Sequence, residues 1–314
     1  MSEDRIITYG GQAVIEGVLM RGRKAFAIAM RAPDGSVAIH TEQLAKVYQS
    51  GISKIPFLRG ILLLWDALGL GMRALTISAN TQTGEDEKLE GAPLYLTLAG
   101  SLAFGIGLFF LLPAAIGGWV EGLFVPAAGG GGGVLPAPAL EYAASASGVW
   151  IGNLIEGIIK LGLLIGYIWA IGFMPDIKRL FGYHGAEHKT INAFEAGAEL
   201  TPESVAKYPI EHARCGTAFL LTLVLLSILV FVLLGPLPML WRLLSRLLLI
   251  PVLAGIAVEY IRWTANHLNN RFVQWMIKPN LALQKLTTRE PDMKMLEVAI
   301  ASFKAMREAE GVSQ

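Results

Sequence analysis

The chain has 314 residues, 54% hydrophobic and only 16% charged, with a formal net charge of +1 and a mean hydropathy of +0.51. A water-soluble domain of this length carries roughly a quarter charged residues, so much of this surface must face something other than water, and the near-zero charge offers nothing for nucleic acid. A single cysteine, Cys215, excludes an intrachain disulfide and suits a reducing compartment.

The opening residues, Met1 to Thr8, have no apolar run behind a basic end, so no cleaved signal peptide is expected. Residues 1–54 read as a β-rich segment in water. Ala25–Arg31 and Ser36–His40 flank Pro33-Asp34-Gly35, which predicts a hairpin. Before it, Tyr9–Arg23 is glycine-rich but lacks both the Lys-Ser/Thr of a phosphate loop and the spacing of a dinucleotide fingerprint. Glu16, among apolar neighbours, reads either as a solvent-facing strand residue or as a further site carboxylate.

Residues 55–79 predict an apolar helix with Arg59, Asp66 and Arg73 at seven-residue intervals. That spacing lines the charges along one face, as in a helix lying in the membrane interface. An acidic linker follows at 80–91. Residues 92–174 predict a first membrane hairpin, with spans Leu94–Leu112 and Val149–Met174 and a Gly/Pro/Ala-rich outer loop at 113–148. The second span carries Glu156 and Lys160, an i,i+4 pair that reads as an interhelix contact or, less simply, as a transport site. Residues 215–261 predict a second hairpin, with spans Cys215–Leu234 and Met239–Ile261. In the latter, Arg242 and Arg246 are expected to snorkel at one end. Residues 262–314 read as cytoplasmic helices; the last starts at Pro291-Asp292 and shows Met295, Leu296, Ala299, Phe303 and Met306 at helical spacing. The expected fold class is therefore an α-helical integral membrane protein with four spans, a small β-rich N-terminal part and cytoplasmic helices.

Lys plus Arg number ten in residues 1–91, five in 175–214, eight in 262–314 and none in 113–148. By the positive-inside rule, both termini and the 175–214 segment face the cytoplasm. The predicted location is the inner (cytoplasmic) membrane.

The chemistry concentrates at Tyr183–Glu195. His184-Gly185-Ala186-Glu187-His188 is the inverted zinc-protease pattern, in which two histidines one helical turn apart hold zinc and the glutamate activates water. Two histidines leave a catalytic zinc one protein ligand short. Glu195, Glu211, His212 and Cys215 are the nearest candidates for the third. Glu187 is the expected general base, and His40 and His267 are peripheral. The cofactor is a divalent transition metal, most simply zinc, and the reaction is hydrolysis of a peptide, amide or ester at the membrane surface. The rival reading is an assembly or scaffolding factor whose histidines are structural; a transporter built on Glu156 and Lys160 is the third.

Several stretches also resemble, in order, the bacterial YqhQ-like family of unknown function. They are Gly10–Gly22 (Gly-Gly-Gln-Ala-Val-Ile-Glu-Gly-Val-Leu-Met-Arg-Gly), Pro56–Gly60, Tyr183–Glu195, Arg214–Thr217 and Leu286–Asp292. One departure is Ala213, where the family pattern has proline before Arg-Cys-Gly. The resemblance implies a multi-spanning membrane protein of a kind often labelled a predicted metal-dependent enzyme. It brings no substrate.

Overall fold

The computed structural model describes residues 9–45, 55–83, 91–124, 137–234, 237 and 239–311. Four strands, β1 (Gly10–Val14), β2 (Gly17–Arg21), β3 (Ala25–Arg31) and β4 (Val37–Gln43), form an antiparallel meander in sequence order. The hairpin expected at Pro33–Gly35 joins β3 to β4. Gly35 supplies a φ of +87°, and the Ser36 amide and hydroxyl donate to Asp34 Oδ1 at 2.9 and 2.7 Å. Period-two alternation sends Val18, Met20, Ala27 and Ala29 to one face and Leu19, Phe26, Ile28 and Met30 to the other.

Both faces are covered, which alternation in a half-wet sheet would not require. α5 (Pro175–Glu195) and α11 (Met293–Ala309) pack on the first face. All five apolar residues expected to line α11 are buried, and Asp292 caps it by accepting from the Met295 amide at 2.8 Å. The small side chains of Ala27 and Ala29 allow close approach, so that Ser302 Oγ donates to Ala27 O at 3.0 Å. α1 (Leu58–Thr83) covers the second face with Leu70, Ala74, Leu75 and Ile77.

α1 runs four residues past its expected end at residue 79, into what reads as linker. Arg59 pairs with Glu259, and Arg73 pairs with Glu42 at 2.6 Å. α6 (Pro202–Val205) and α10 (Arg271–Thr287) belong to the same compact unit, which comprises residues 1–90, 168–219 and 258–314.

The other unit, residues 91–167 and 220–257, is helical. Its segments come from α2 (Gly91–Ile106), a π-helical turn (Gly107–Leu111), α3 (Leu112–Phe124), α4 (Ala137–Ile171), α7 (Gly216–Leu233), α8 (Met239–Leu248) and α9 (Ile250–Asn266). Among the described residues, four helices are long and apolar enough to cross a membrane: Gly91–Val120, Trp150–Ile171, Gly216–Leu233 and Leu240–Asn266. The loop between the first two of these helices is shorter than expected, because helix extends to Phe124 and resumes at Ala137 in an alanine-rich stretch of high helix propensity. The Gly129–Gly133 run and most of the 80–91 linker lie outside the described residues. At the π-helical turn the Leu112 amide reaches back five residues to Gly107 O, just ahead of Pro113, which has no amide to donate.

The expectation for Arg242 and Arg246 needs correcting. They do not snorkel: both are buried. Arg246 grips Glu156 with Nε and a terminal nitrogen at 3.0 and 2.7 Å and donates to Asn153 Oδ1 at 2.9 Å. Arg242 donates to the same oxygen at 3.0 Å. Lys160 Nζ lies 3.4 Å from Glu156 and over the rings of Phe110 and Phe231. A buried carboxylate demands a hydrogen-bonded cation, and the guanidinium fork satisfies it better than the lysine one turn away.

A candidate metal centre on helix α5

α5 starts at Pro175, where the missing amide costs nothing, and is buried from Phe181 to Ile191 apart from His184, which is half-buried. The i,i+4 spacing stacks the His184 and His188 rings with centroids 4.4 Å apart. Each ring is oriented from behind by a backbone carbonyl. His184 Nδ1–H donates to Thr287 O at 2.8 Å, and His188 Nδ1–H donates to Ile210 O at 2.6 Å. These bonds set the tautomer and leave both Nε2 atoms without a proton, as a ligating imidazole nitrogen must be.

Cys215 completes the cluster. It sits just before the first residue of α7, its sulfur 3.2 Å from His184 Nε2 and accepting from the Thr217 amide at 3.4 Å. One ligand atom each from His184, His188 and Cys215 lie within 4.8 Å of one another. A tetrahedral zinc would space such atoms roughly 3.3–3.8 Å apart. His188 Nε2 is buried and, among the described residues, has no hydrogen-bond partner. An orphaned lone pair of this kind costs about 1–3 kcal/mol, a cost that a bound ion would remove. Two imidazoles and a thiolate are a zinc-type donor set.

The loop carrying Ile210 is stapled to α5. Lys189 Nζ donates to the carbonyls of Ala206 and Tyr208 at 2.8 and 2.9 Å and pairs with Glu290 at 2.6 Å. Asn192 Nδ2 donates to the carbonyls of Pro209 and Glu211 at 2.8 and 3.0 Å. Gln284 of α10 holds the His212 backbone through both its amide and its carbonyl.

The remaining expected site residues fall elsewhere. The His212 ring is 5.6 Å from that of His188, but its Nε2 accepts from Arg214 at 3.3 Å. Burial, then the neighbouring His188 and His184, push its pKa down to about 3, so it stays neutral. Glu195 is paired with Arg214. Glu16 sits in the β1–β2 turn at a positive φ of 52° and takes both arms of Arg179, at 2.6 and 2.5 Å. The Arg179 hydrogen bond holds its carboxyl below the usual range, so it anchors α5 to the sheet rather than joining the cluster. Glu156 and Lys160 belong to the other unit.

Glu187 faces β1. It is buried, one of its oxygens has no partner among the described residues, and burial raises its pKa to about 7, against the lowering pull of His184 and a hydrogen bond from the Gly11 amide. That strand approach depends on Gly11. A Cβ there would lie 2.6 Å from Leu19 O and 2.9 Å from the Glu187 side chain, whereas one at Gly10 would meet nothing within 4 Å. Gly11→Ala is therefore expected to cost about 1–3 kcal/mol in thermal unfolding, with Gly10→Ala close to neutral. Equal melting temperatures for the two would contradict this packing.

Sequence reasoning missed Gly11, Ile210, Gln284 and Thr287. Gly11 and Thr287 lie in stretches that carry the family resemblance, but three of the four act wholly or partly through the backbone, which residue type does not advertise.

The family described as "Protein of unknown function (DUF1385)" matches residues 55–309. The chain is also similar to "Uncharacterized protein YqhQ" of Bacillus subtilis (strain 168), 34% identical over 326 aligned residues that cover 98% of this chain and 94% of that protein. No solved structure matches the chain.

Proposed function

We propose, for a chain that belongs to the DUF1385 family of proteins of unknown function, a metal-dependent hydrolase of the cytoplasmic membrane whose site faces the cytoplasm. The observation that carries this reading is the buried Nε2 of His188, unpartnered among the described residues, beside the paired His184 and Cys215. His184, His188 and Cys215 are the protein ligands. A donor set of three protein residues is the pattern that would hold a catalytic rather than a structural zinc. The ion, when bound, polarises the scissile carbonyl and lowers the pKa of water.

The chain's own groups do the rest. Thr287 and Ile210 hold both imidazoles in the ligating tautomer. Glu187 takes the proton of the attacking water on a carboxylate oxygen and returns it to the leaving group. The substrate is a peptide, amide or ester presented at the membrane surface. The cytoplasmic orientation rests on the basic residues, which are dense in residues 1–91, 175–214 and 262–314 and absent from 113–148.

A second reading draws on His212, whose ring adjoins His188. Turned from Arg214, it would close a four-ligand structural sphere in an assembly or scaffolding factor. Elemental analysis of the purified protein tests the shared premise. The wild type is expected to carry about one zinc per chain, and His184→Ala with His188→Ala to carry background levels only. A folded wild type free of metal, or unchanged content in the double variant, overturns both readings.

A further inference from the structure

The helical unit is not alone in presenting apolar surface. In the first half of α1, Leu58, Ile61, Trp65 and Leu68 recur at helical spacing and are all exposed, Trp65 by 74%. In the first half of α10, Phe272 and Trp275 stack with centroids 6.2 Å apart, and Trp275 is 65% exposed. The same α10 face carries exposed Arg271, Lys278 and Lys285.

Two hydrogen-bonded ties say what covers this surface. Arg59 Nε donates to Glu259 at 2.6 Å, and the Phe57 amide donates to the same carboxylate at 3.2 Å. The Tyr260 hydroxyl donates to Met276 O at 3.5 Å. Glu259 and Tyr260 lie inside the apolar helix Leu240–Asn266, about two turns before its end. Both α1 and α10 are thus tied to the last turns of a helix long and apolar enough to cross a membrane. Their exposed faces meet the medium that surrounds those turns. Tryptophan with flanking lysine and arginine is the composition of a bilayer interface, and Arg271 and Lys278 complement anionic headgroups.

We propose that the first halves of α1 and α10 lie in the headgroup layer of an anionic bilayer. This seat is independent of the proposed chemistry. It also lowers α10, whose far half holds His184 and His212 through Thr287 and Gln284, to the membrane surface.

The test uses the full-length protein in phosphatidylcholine–phosphatidylglycerol vesicles. Its tryptophan emission is read against lipids brominated near the headgroup end of the acyl chain and against aqueous iodide. Trp65→Phe with Trp275→Phe removes two of the seven tryptophans and keeps an aromatic ring at each exposed position. The bromolipid-quenched emission is expected to fall in proportion to those two residues, with the iodide-quenched emission unchanged. A fall in the iodide-quenched emission instead means the faces are in water and overturns the proposal. A fall in neither means that protein, such as a second copy of the chain, covers them, and overturns it equally. Metal content does not enter the readout, so failure here leaves the hydrolase reading standing.

Discussion

Glu187→Gln is expected to leave the fold and the metal content at wild-type levels while lowering turnover by about 10²–10⁴-fold, the usual weight of a positioned general base. The amide keeps the volume and can still accept from the Gly11 amide, so the strand contact survives. What it loses is the capacity to take a proton. His184→Ala is expected to lose both metal and activity, because it removes a ligand oriented by Thr287 O. The pair separates base from ligand, provided zinc is quantified on the same preparations. Complementation of a strain lacking the protein, or release of product from a panel of esters and amides, supplies the activity. Full function in Glu187→Gln would remove Glu187 as base and favour the scaffold reading, which assigns the carboxylate no chemistry.

Arg246→Ala is expected to be the most damaging single change in the helical unit, at about 3–5 kcal/mol. Glu156 is 1% exposed and would lose the two short bonds of the guanidinium, at 3.0 and 2.7 Å. What remains near it is Lys160 at 3.4 Å and Arg242 at 3.5 Å. The lysine is also engaged by the rings of Phe110 and Phe231. Arg246→Met with Glu156→Gln should recover much of the loss, since it removes the charge along with its partner. Thermal unfolding in detergent checks both. A single variant as stable as wild type would mean that Arg246 does not neutralise Glu156.

Much of the candidate centre was legible because it lies on one helix. His184 and His188 are separated by one turn, and no tertiary contact is needed to put them on one side. Choosing among Glu195, Glu211, His212 and Cys215 as third ligand was another matter. All lie within a few residues of a loop broken by prolines, and their order in the chain says nothing of which side chain turns inward. The loop's path decides it: Lys189 and Asn192 tie down its carbonyls, Arg214 engages both Glu195 and His212, and Cys215 is left against His184.

The arginines of α8 show the opposite limit. Read alone, Arg242 and Arg246 near the end of an apolar helix have water as their cheapest partner, so snorkelling is the natural expectation. Glu156 is some 90 residues earlier in the chain, and no local pattern links them.

By itself, then, the sequence determined what periodicity and composition can express: four apolar helices of spanning length, the β3–β4 hairpin, the buried stripe of α11 and the turn-spaced histidines. Each depends on residues within a few positions of one another, where backbone geometry alone sets which side chains share a face. The tertiary structure decided which cysteine, carbonyl or cation meets them. It set Gly11 against Glu187, Thr287 behind His184, Arg246 on Glu156 and Tyr260 on α10. Those pairings answer to the demand that every buried polar group find a partner, and that demand is met across the fold rather than along the chain.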